Sequence, residues 1–219
     1  VLGSALAMDK IHSKQIWQCL NIPTAKYEIA VKSRFDAGSC GAIMAELGDT
    51  VMVKPSLEGS SIGMTKVTSA AQLDSAIQDA FKYDNNVLLE QFIQGPEYTV
   101  TLLNGKALPS IRMSTPRDFY DYAAKYQADS TEYFCPSGLS AEIENELAQL
   151  ASDAFDALSG SGWGRVDLMQ DASGQFYLLE ANTVPGMTEK SLVPMSARQA
   201  GMSFEDLCLA ILSNSMEQR

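Results

Sequence analysis

The stretch GWGRVDLMQDASGQFYLLEAN, residues 162–182, carries the strongest structural signal in the chain. Arg165 to Gln170 and Gln175 to Asn182 read as two strands joined by the turn Asp171-Ala172-Ser173-Gly174. If Asp171 and Gly174 flank that turn, Arg165 faces Glu180, Asp167 faces Leu178 and Trp163 faces Asn182. Side chains alternate along a strand and directly opposed residues share a face. Arg165, Asp167, Glu180 and Asn182 then converge on one side, with Val166, Leu168, Leu179 and Ala181 on the other. Two carboxylates and an amide oxygen are hard donors suited to Mg²⁺. A solvated polar face with an Arg–Glu cross-strand pair fits the pattern equally well, and a β-bulge would shift the register.

Working outward, strands and helices alternate. The segment after Asp9 reads as a helix ended by Pro23, and Val51 to Lys54 as a strand stopped by Pro55. A Gly/Ser stretch follows, Pro55 to Gly63, and then a second strand, Ile62 to Val67. Ser69 and Gln72 make a capping box before a helix with Leu73, Ile77 and Phe81 on one stripe. Val87 to Ile93 and Glu97 to Leu103 are strands separated by Gly95-Pro96, and Asn104-Gly105 turns into Lys106 to Ile111. Residues 115–136, rich in Asp, Tyr, Ser and Pro, break the rhythm without a clear period and read as a lid or binding loop. Ser140 caps a helix through Ile143, Leu147, Leu150, Ala154 and Leu158, and an amphipathic helix from Ser203 closes the chain.

Composition narrows the chemistry. The chain has 219 residues, 46% apolar and 20% charged, enough for a sizeable core in one domain or two. A net charge of −11 disfavours nucleic acid as a partner. No apolar run reaches the roughly 20 residues of a membrane span. One histidine, His12, excludes His-rich metal sites. Cys19, Cys40, Cys135 and Cys208 form no CxxC pair and read as free thiols of a cytoplasmic protein. The first residues, Val1-Leu2-Gly3, lack an initiator Met and suggest a fragment or processed product.

The Gly/Ser stretch can cradle a phosphate with backbone amides and hydroxyls, and Lys54 stands just before it; an ordinary connecting turn is the plainer reading. Gly59-Ser60-Ser61-Ile62-Gly63 also matches the G-x-S-x-G elbow of serine hydrolases. An elbow needs a following helix and a later histidine, and this sequence offers neither. Glu90 sits in an apolar strand, where a carboxylate needs a lysine or a ligand amine as partner. Lys125-Tyr126 lies in the irregular segment, placed to reach a phosphate or simply solvated. The Gly160 to Gly164 run precedes a strand and is no dinucleotide fingerprint.

In order, these segments resemble the D-alanine–D-alanine ligases of the ATP-grasp superfamily. The resemblance runs through Gly3-Ser4-Ala5 with Met8-Asp9-Lys10, Val53-Lys54-Pro55, Glu58 to Gly63, Glu90-Gln91-Phe92, Gly95-Pro96-Glu97 and Leu108 to Ile111. It continues through Phe119 to Tyr122, Ala124-Lys125-Tyr126, Tyr133 to Pro136, Gly162 to Asp167, Leu179 to Thr183, Pro185 to Thr188 and Ser191 to Pro194.

The resemblance implies an α+β, ATP-grasp fold of two lobes with mainly antiparallel sheets. Residues 1–10 would join a missing N-terminal domain, 11–96 form the central lobe, and 97–219 the C-terminal lobe with an ω-loop at about 115–136. It implies ATP and two Mg²⁺ (or Mn²⁺), D-alanine as substrate, and a D-alanyl phosphate on the way to D-alanyl-D-alanine for peptidoglycan.

Roles follow by position. Lys10, Lys54 and Lys125 would meet phosphates, and Glu90, Phe92 and Glu97 the adenine and ribose. Glu58 and Ser61 would also contact the nucleotide, and Asp167, Glu180 and Asn182 would hold the metals. Arg165 and Gly186 would stabilise the tetrahedral intermediate, while Ser191 and Leu192 hold the second D-alanine. Ser60 would join the Ser/Gly loop to Tyr126, whose tyrosine favours a dipeptide product. The resemblance further implies a homodimer and little ligase activity for these 219 residues alone. A nucleotide-binding fragment without catalysis is the alternative.

Overall fold

A computed structural model describes residues 1–114 and 131–217. The chain opens with helices α1 (Leu2–Met8) and α2 (Lys10–Cys19). Asp9 caps the second: its carboxylate accepts from the amides of Ile11 at 3.0 Å and His12 at 3.1 Å. The segment expected to be a join contains α1.

The first sheet holds β1 (Tyr27–Val31), β2 (Val51–Pro55), β3 (Thr65–Val67) and β4 (Asn86–Gln91) in the order β1-β4-β2-β3, all neighbours antiparallel. Helices α3 (Cys40–Leu47) and α4 (Ala70–Ala80) cover one face. Val51 and Val53 of β2, with Val87 and Leu89 of β4, enter a core with Leu73, Ile77 and Phe81. Alternation therefore turns Met52, Lys54 and Glu90 to the opposite face. The Ser69 hydroxyl caps α4 by accepting from the Gln72 backbone amide at 3.4 Å, while the Gln72 side-chain oxygen Oε1 accepts from the Thr68 backbone amide at 2.9 Å. The reciprocal arm of the expected box reaches one residue further back.

The second sheet holds β5 (Glu97–Leu103), β6 (Lys106–Ala107), β7 (Ile111–Ser114), β8 (Glu132–Phe134), β9 (Trp163–Gln170) and β10 (Phe176–Asn182). Its order is β10-β9-β5-β7-β8, with β6 beside β5, and every ladder is antiparallel. Helix α5 (Ala141–Ala157), capped by Ser140, packs Leu147, Ala151, Ala154 and Phe155 on Val100, Val166, Leu168 and Leu178. Helices α6 (Leu192–Gln199) and α7 (Phe204–Glu217) enclose a smaller cluster of Leu103, Val193, Ala197 and Leu207. Although α2 precedes the first sheet, its fully buried Trp17 belongs to the second core, donating its indole N–H to the Ala154 carbonyl at 2.9 Å.

Three expectations change. The strand expected over Ile62 to Val67 shrinks to β3, because Ser60, Ser61 and Gly63 take φ of 53°, 62° and 69° and keep the chain turning. Lys106 to Ile111 divides into β6 and the start of β7, with Pro109 between them. The tract 115–136 is not wholly irregular, since β8 pairs with β7. Lys125 and Tyr126 lie outside the described residues.

Candidate active site

Between the two sheets lies a cavity of about 560 Å³. Lys10, Lys54, Ser60, Ser61 and Phe92 line it from one side, and Glu97, Asp167 and Glu180 from the other; Glu58 and Glu90 also border it. The chain crosses between the walls at Gly95-Pro96. The Pro96 carbonyl accepts the Gln170 amide at 3.0 Å, so the crossing is held against the end of β9.

The carboxylate wall depends on a bulge. Near the turn the ladder pairs Gln170 with Phe176 and Leu168 with Leu178; beyond it Asp167 pairs with Glu180 and Arg165 with Asn182. The shift falls between Leu178 and Glu180. It corrects the expected register: Asp167 faces Glu180, Leu178 is core, and Leu179 lines the cavity. Inward-facing residues change parity across the bulge, from Phe176 and Leu178 to Ala181. An unbroken ladder through Leu178 would have set Glu180 opposite Val166, inside the core. The bulge therefore brings Glu180 to the cavity lining; Arg165 and Asn182 do not line the cavity and stand beside it, bonded to Asp167.

Asp167 is 3% exposed and fully engaged. Arg165 donates Nε and Nη2 to its two oxygens at 2.8 and 2.7 Å, Thr99 its hydroxyl at 2.6 Å, and Asn182 its amide at 3.1 Å. Asn182 also reaches a Glu180 oxygen at 3.5 Å. Burial opposes charge on Arg165, but Asp167 and then Glu180 and Glu97 outweigh it and raise its pKa. Among the described residues no three His, Cys, Asp or Glu side chains cluster as metal ligands. The oxygen-rich set here is two acids and an amide.

The opposite wall begins with the Gly/Ser loop. The loop is pinned to α2: the Ser56 hydroxyl donates to Asp9 at 2.7 Å, the Lys10 amide to the Ser56 carbonyl at 3.2 Å, and the Lys10 ammonium to the Glu58 carbonyl at 2.5 Å. The positive φ of Ser60 and Ser61 bends successive peptides into a concave turn, a shape suited to anions. Lys66 stands 4.2 Å over the Phe92 ring.

Glu90 is 2% exposed. Its carboxylate meets Lys54 at 2.5 Å and Lys14 on its other oxygen. Burial pushes the Glu90 carboxyl up, yet the two ammonium groups together hold it below its usual value. Glu90 thus stands behind Lys54, with its charge already matched.

Gly186, Ser191 and Leu192 do not line this cavity. They meet one another after β10. The Ser191 hydroxyl accepts the Thr188 amide at 3.0 Å, and a Cβ on Gly186 would come within 3.0 Å of that hydroxyl. Leu192 opens α6. Sequence reasoning missed Lys14, Thr99 and Lys66. Thr99 carries a signal in hindsight, being a polar residue at an alternate position of an apolar strand; Lys14 carries none.

Two α+β lobes whose antiparallel sheets close over a cleft, lysines on one wall and paired carboxylates on the other, define an ATP-grasp fold. The profile described as D-ala D-ala ligase C-terminus matches residues 16–213. A D-alanine–D-alanine ligase of Pseudoalteromonas atlantica is 72% identical over 98% of this chain and 68% of its own length. The Bacillus anthracis D-alanine–D-alanine ligase solved with ATP superposes with a TM-score of 0.85 at 30% identity, covering 99% of this chain and 68% of that one. VanG, a D-Ala:D-Ser ligase of Enterococcus faecalis, gives 0.83 at 30% identity, over 97% and 62%. The chain belongs to the D-alanine–D-alanine ligase family.

Proposed function

We propose that the cleft binds ATP and uses it to join two D-alanines into D-alanyl-D-alanine through a D-alanyl phosphate. One observation carries the reading: Lys54 and the Ser60–Ser61 turn share a single cavity with Asp167 and Glu180. A polyphosphate lying there meets cations on one wall and metal-binding oxygens on the other.

The chemistry explains the need for both walls. A carboxylate does not react with an amine at neutral pH. An oxygen of the first D-alanine attacks the γ-phosphorus, and the bond to ADP breaks. The amine nitrogen of the second D-alanine then attacks the acyl carbon. Phosphate leaves with the C–O electron pair and the amine proton passes to solvent. Positioning and electrostatics supply the rate in phosphoryl transfer.

Lys10 and Lys54 neutralise phosphate oxygens, with Lys125 in the same role; Glu58 and Ser61 hold the nucleotide. Phe92 packs on the base and Glu97 accepts from the ribose. Arg165, oriented by its two bonds to Asp167, stabilises the oxyanion together with the Gly186 amide. Ser191 and Leu192 receive the carboxylate of the second D-alanine, and Ser60 with Tyr126 closes the loops over the site.

Asp167, Glu180 and Asn182 fit two Mg²⁺ or Mn²⁺ ions as hard donors on one face; turning the Asn182 amide presents its oxygen. Ions held by these residues would supply charge neutralisation for the polyphosphate.

ADP release by the purified protein that carries this chain tests the reading, with Mg²⁺ and no amino acid, D-alanine, or D-alanine with D-lactate or D-serine. D-Alanine-dependent ADP release is expected. ATP binding without it identifies a nucleotide-binding module, and turnover only with D-serine present moves the specificity towards that of VanG.

A further inference from the structure

We propose that Lys14 is a positioning residue that ties the lysine wall of the cleft to its carboxylate wall. The proposal rests on the ligase reading above, because both walls serve the same nucleotide there.

Lys14 lies within α2 and is 0% exposed. An ammonium at that depth is tolerated only when its protons are taken up. Its charge is met by the Glu90 carboxylate, and it donates to the Thr24 hydroxyl and to the Ala25 carbonyl at 3.5 Å. Glu90 carries the connection to the lysine wall, since its second oxygen holds Lys54. One carboxylate between two ammoniums leaves a net positive charge, which suits a wall facing phosphates.

Thr24 carries the connection the other way. Its oxygen accepts from Lys14, so its single proton is left to donate, and it donates to the Leu178 carbonyl at 3.2 Å. The Leu178 amide donates to the Pro23 carbonyl at 2.9 Å, so Leu178 is held by both its N–H and its C=O. Leu178 is the last residue before the bulge that turns Glu180 to the cavity. The path Lys54–Glu90–Lys14–Thr24–Leu178 therefore runs from the lysine wall to the support of a metal-binding carboxylate.

The two arms separate by substitution. Thr24→Val keeps shape, cuts the Leu178 arm and removes one acceptor of Lys14 while leaving the Glu90–Lys54 arm in place; Lys14→Met cuts both arms. Nucleotide affinity is read with a fluorescent ATP analogue in EDTA, and metal affinity by Mn²⁺ binding in the presence of a non-hydrolysable analogue. Thr24→Val is expected to weaken Mn²⁺ binding about tenfold, in the range for groups behind a ligand, with nucleotide Kd within about twofold. Lys14→Met is expected to weaken both by about tenfold or more, with partial rescue by Lys14→Arg. Unchanged Mn²⁺ affinity in Thr24→Val overturns the proposal, as does unchanged nucleotide affinity in a folded Lys14→Met.

If Lys14→Met does not fold, Thr24→Val decides alone. Failure of the unsubstituted protein to bind the analogue would instead sink the ligase reading. In that event a thermal double-mutant cycle of Thr24→Val with Lys14→Arg tests the linkage without ligand, and strict additivity would overturn it.

Discussion

Asp167 and Glu180 stand directly opposite each other on β9 and β10, two carboxylates paired across a ladder immediately past a bulge. Like charges so placed repel, and the fold offsets the repulsion with Arg165 on Asp167 and the Asn182 amide on both. The arrangement concentrates negative charge where a cation relieves it. It also makes the two acids unequal, because Asp167 holds Arg165 and Glu180 holds little.

That inequality predicts different outcomes for the two isosteric substitutions. Asp167→Asn leaves a mostly buried guanidinium without its counter-charge and is expected to cost about 3–5 kcal/mol of stability. Glu180→Gln removes a repulsion and is expected to change stability by less than about 1 kcal/mol. Both should lower D-alanine-dependent ADP release by about 100-fold or more. Urea denaturation beside an ADP assay checks the split; equal stability losses would contradict it.

Gly95 lets the crossing strand pass over β9. A Cβ there would lie 1.8 Å from the Gln170 carbonyl oxygen, a backbone atom that cannot swing aside. Gly95→Ala should destabilise by about 2–4 kcal/mol and displace Glu97 from the cleft, weakening nucleotide binding. Thermal melting and analogue binding report the two effects.

The Gly/Ser turn separates backbone from side-chain roles. Ser61 has φ of 62°, so Ser61→Gly relaxes the backbone whereas Ser61→Val forces a β-branched residue into the left-handed region. Nucleotide affinity should fall at most about threefold in Ser61→Gly and at least about tenfold in Ser61→Val, at a strain of about 1–2 kcal/mol. A comparable loss in both would move the binding role from the peptide groups to the hydroxyl.

Acid should loosen the tie between α2 and the Gly/Ser loop. Burial raises the Asp9 carboxyl, but the Ser56 hydroxyl and the His12 amide and ring outweigh it and hold the group below its usual 3.8. A folded value below the unfolded one means that the stabilisation is fully present above the unfolded value. It is lost as pH falls through the folded one. Asp9→Asn keeps a good helix cap without the charge and should flatten the stability slope below about pH 4. Denaturation midpoints between pH 3 and pH 7 measure it.

Local pattern alone determined much of this molecule. Val51 to Lys54 already reads as an apolar strand stopped by Pro55. Ser69 and Ser140 mark helix starts, and the turn Asp171 to Gly174 marks a hairpin. Each signal acts over a few residues and is written in their order. Tertiary packing decided the rest. The bulge follows from having to bury Leu178 and Ala181 in one core while β9 stays in register with β5, a constraint spread over distant strands. Lys14 has no local signature, because its partners Glu90 and Thr24 meet it only when α2, β4 and the segment before β1 converge. Local sequence encodes which face a side chain prefers; the register between strands, and the partner of a buried charge, are settled where the cores close.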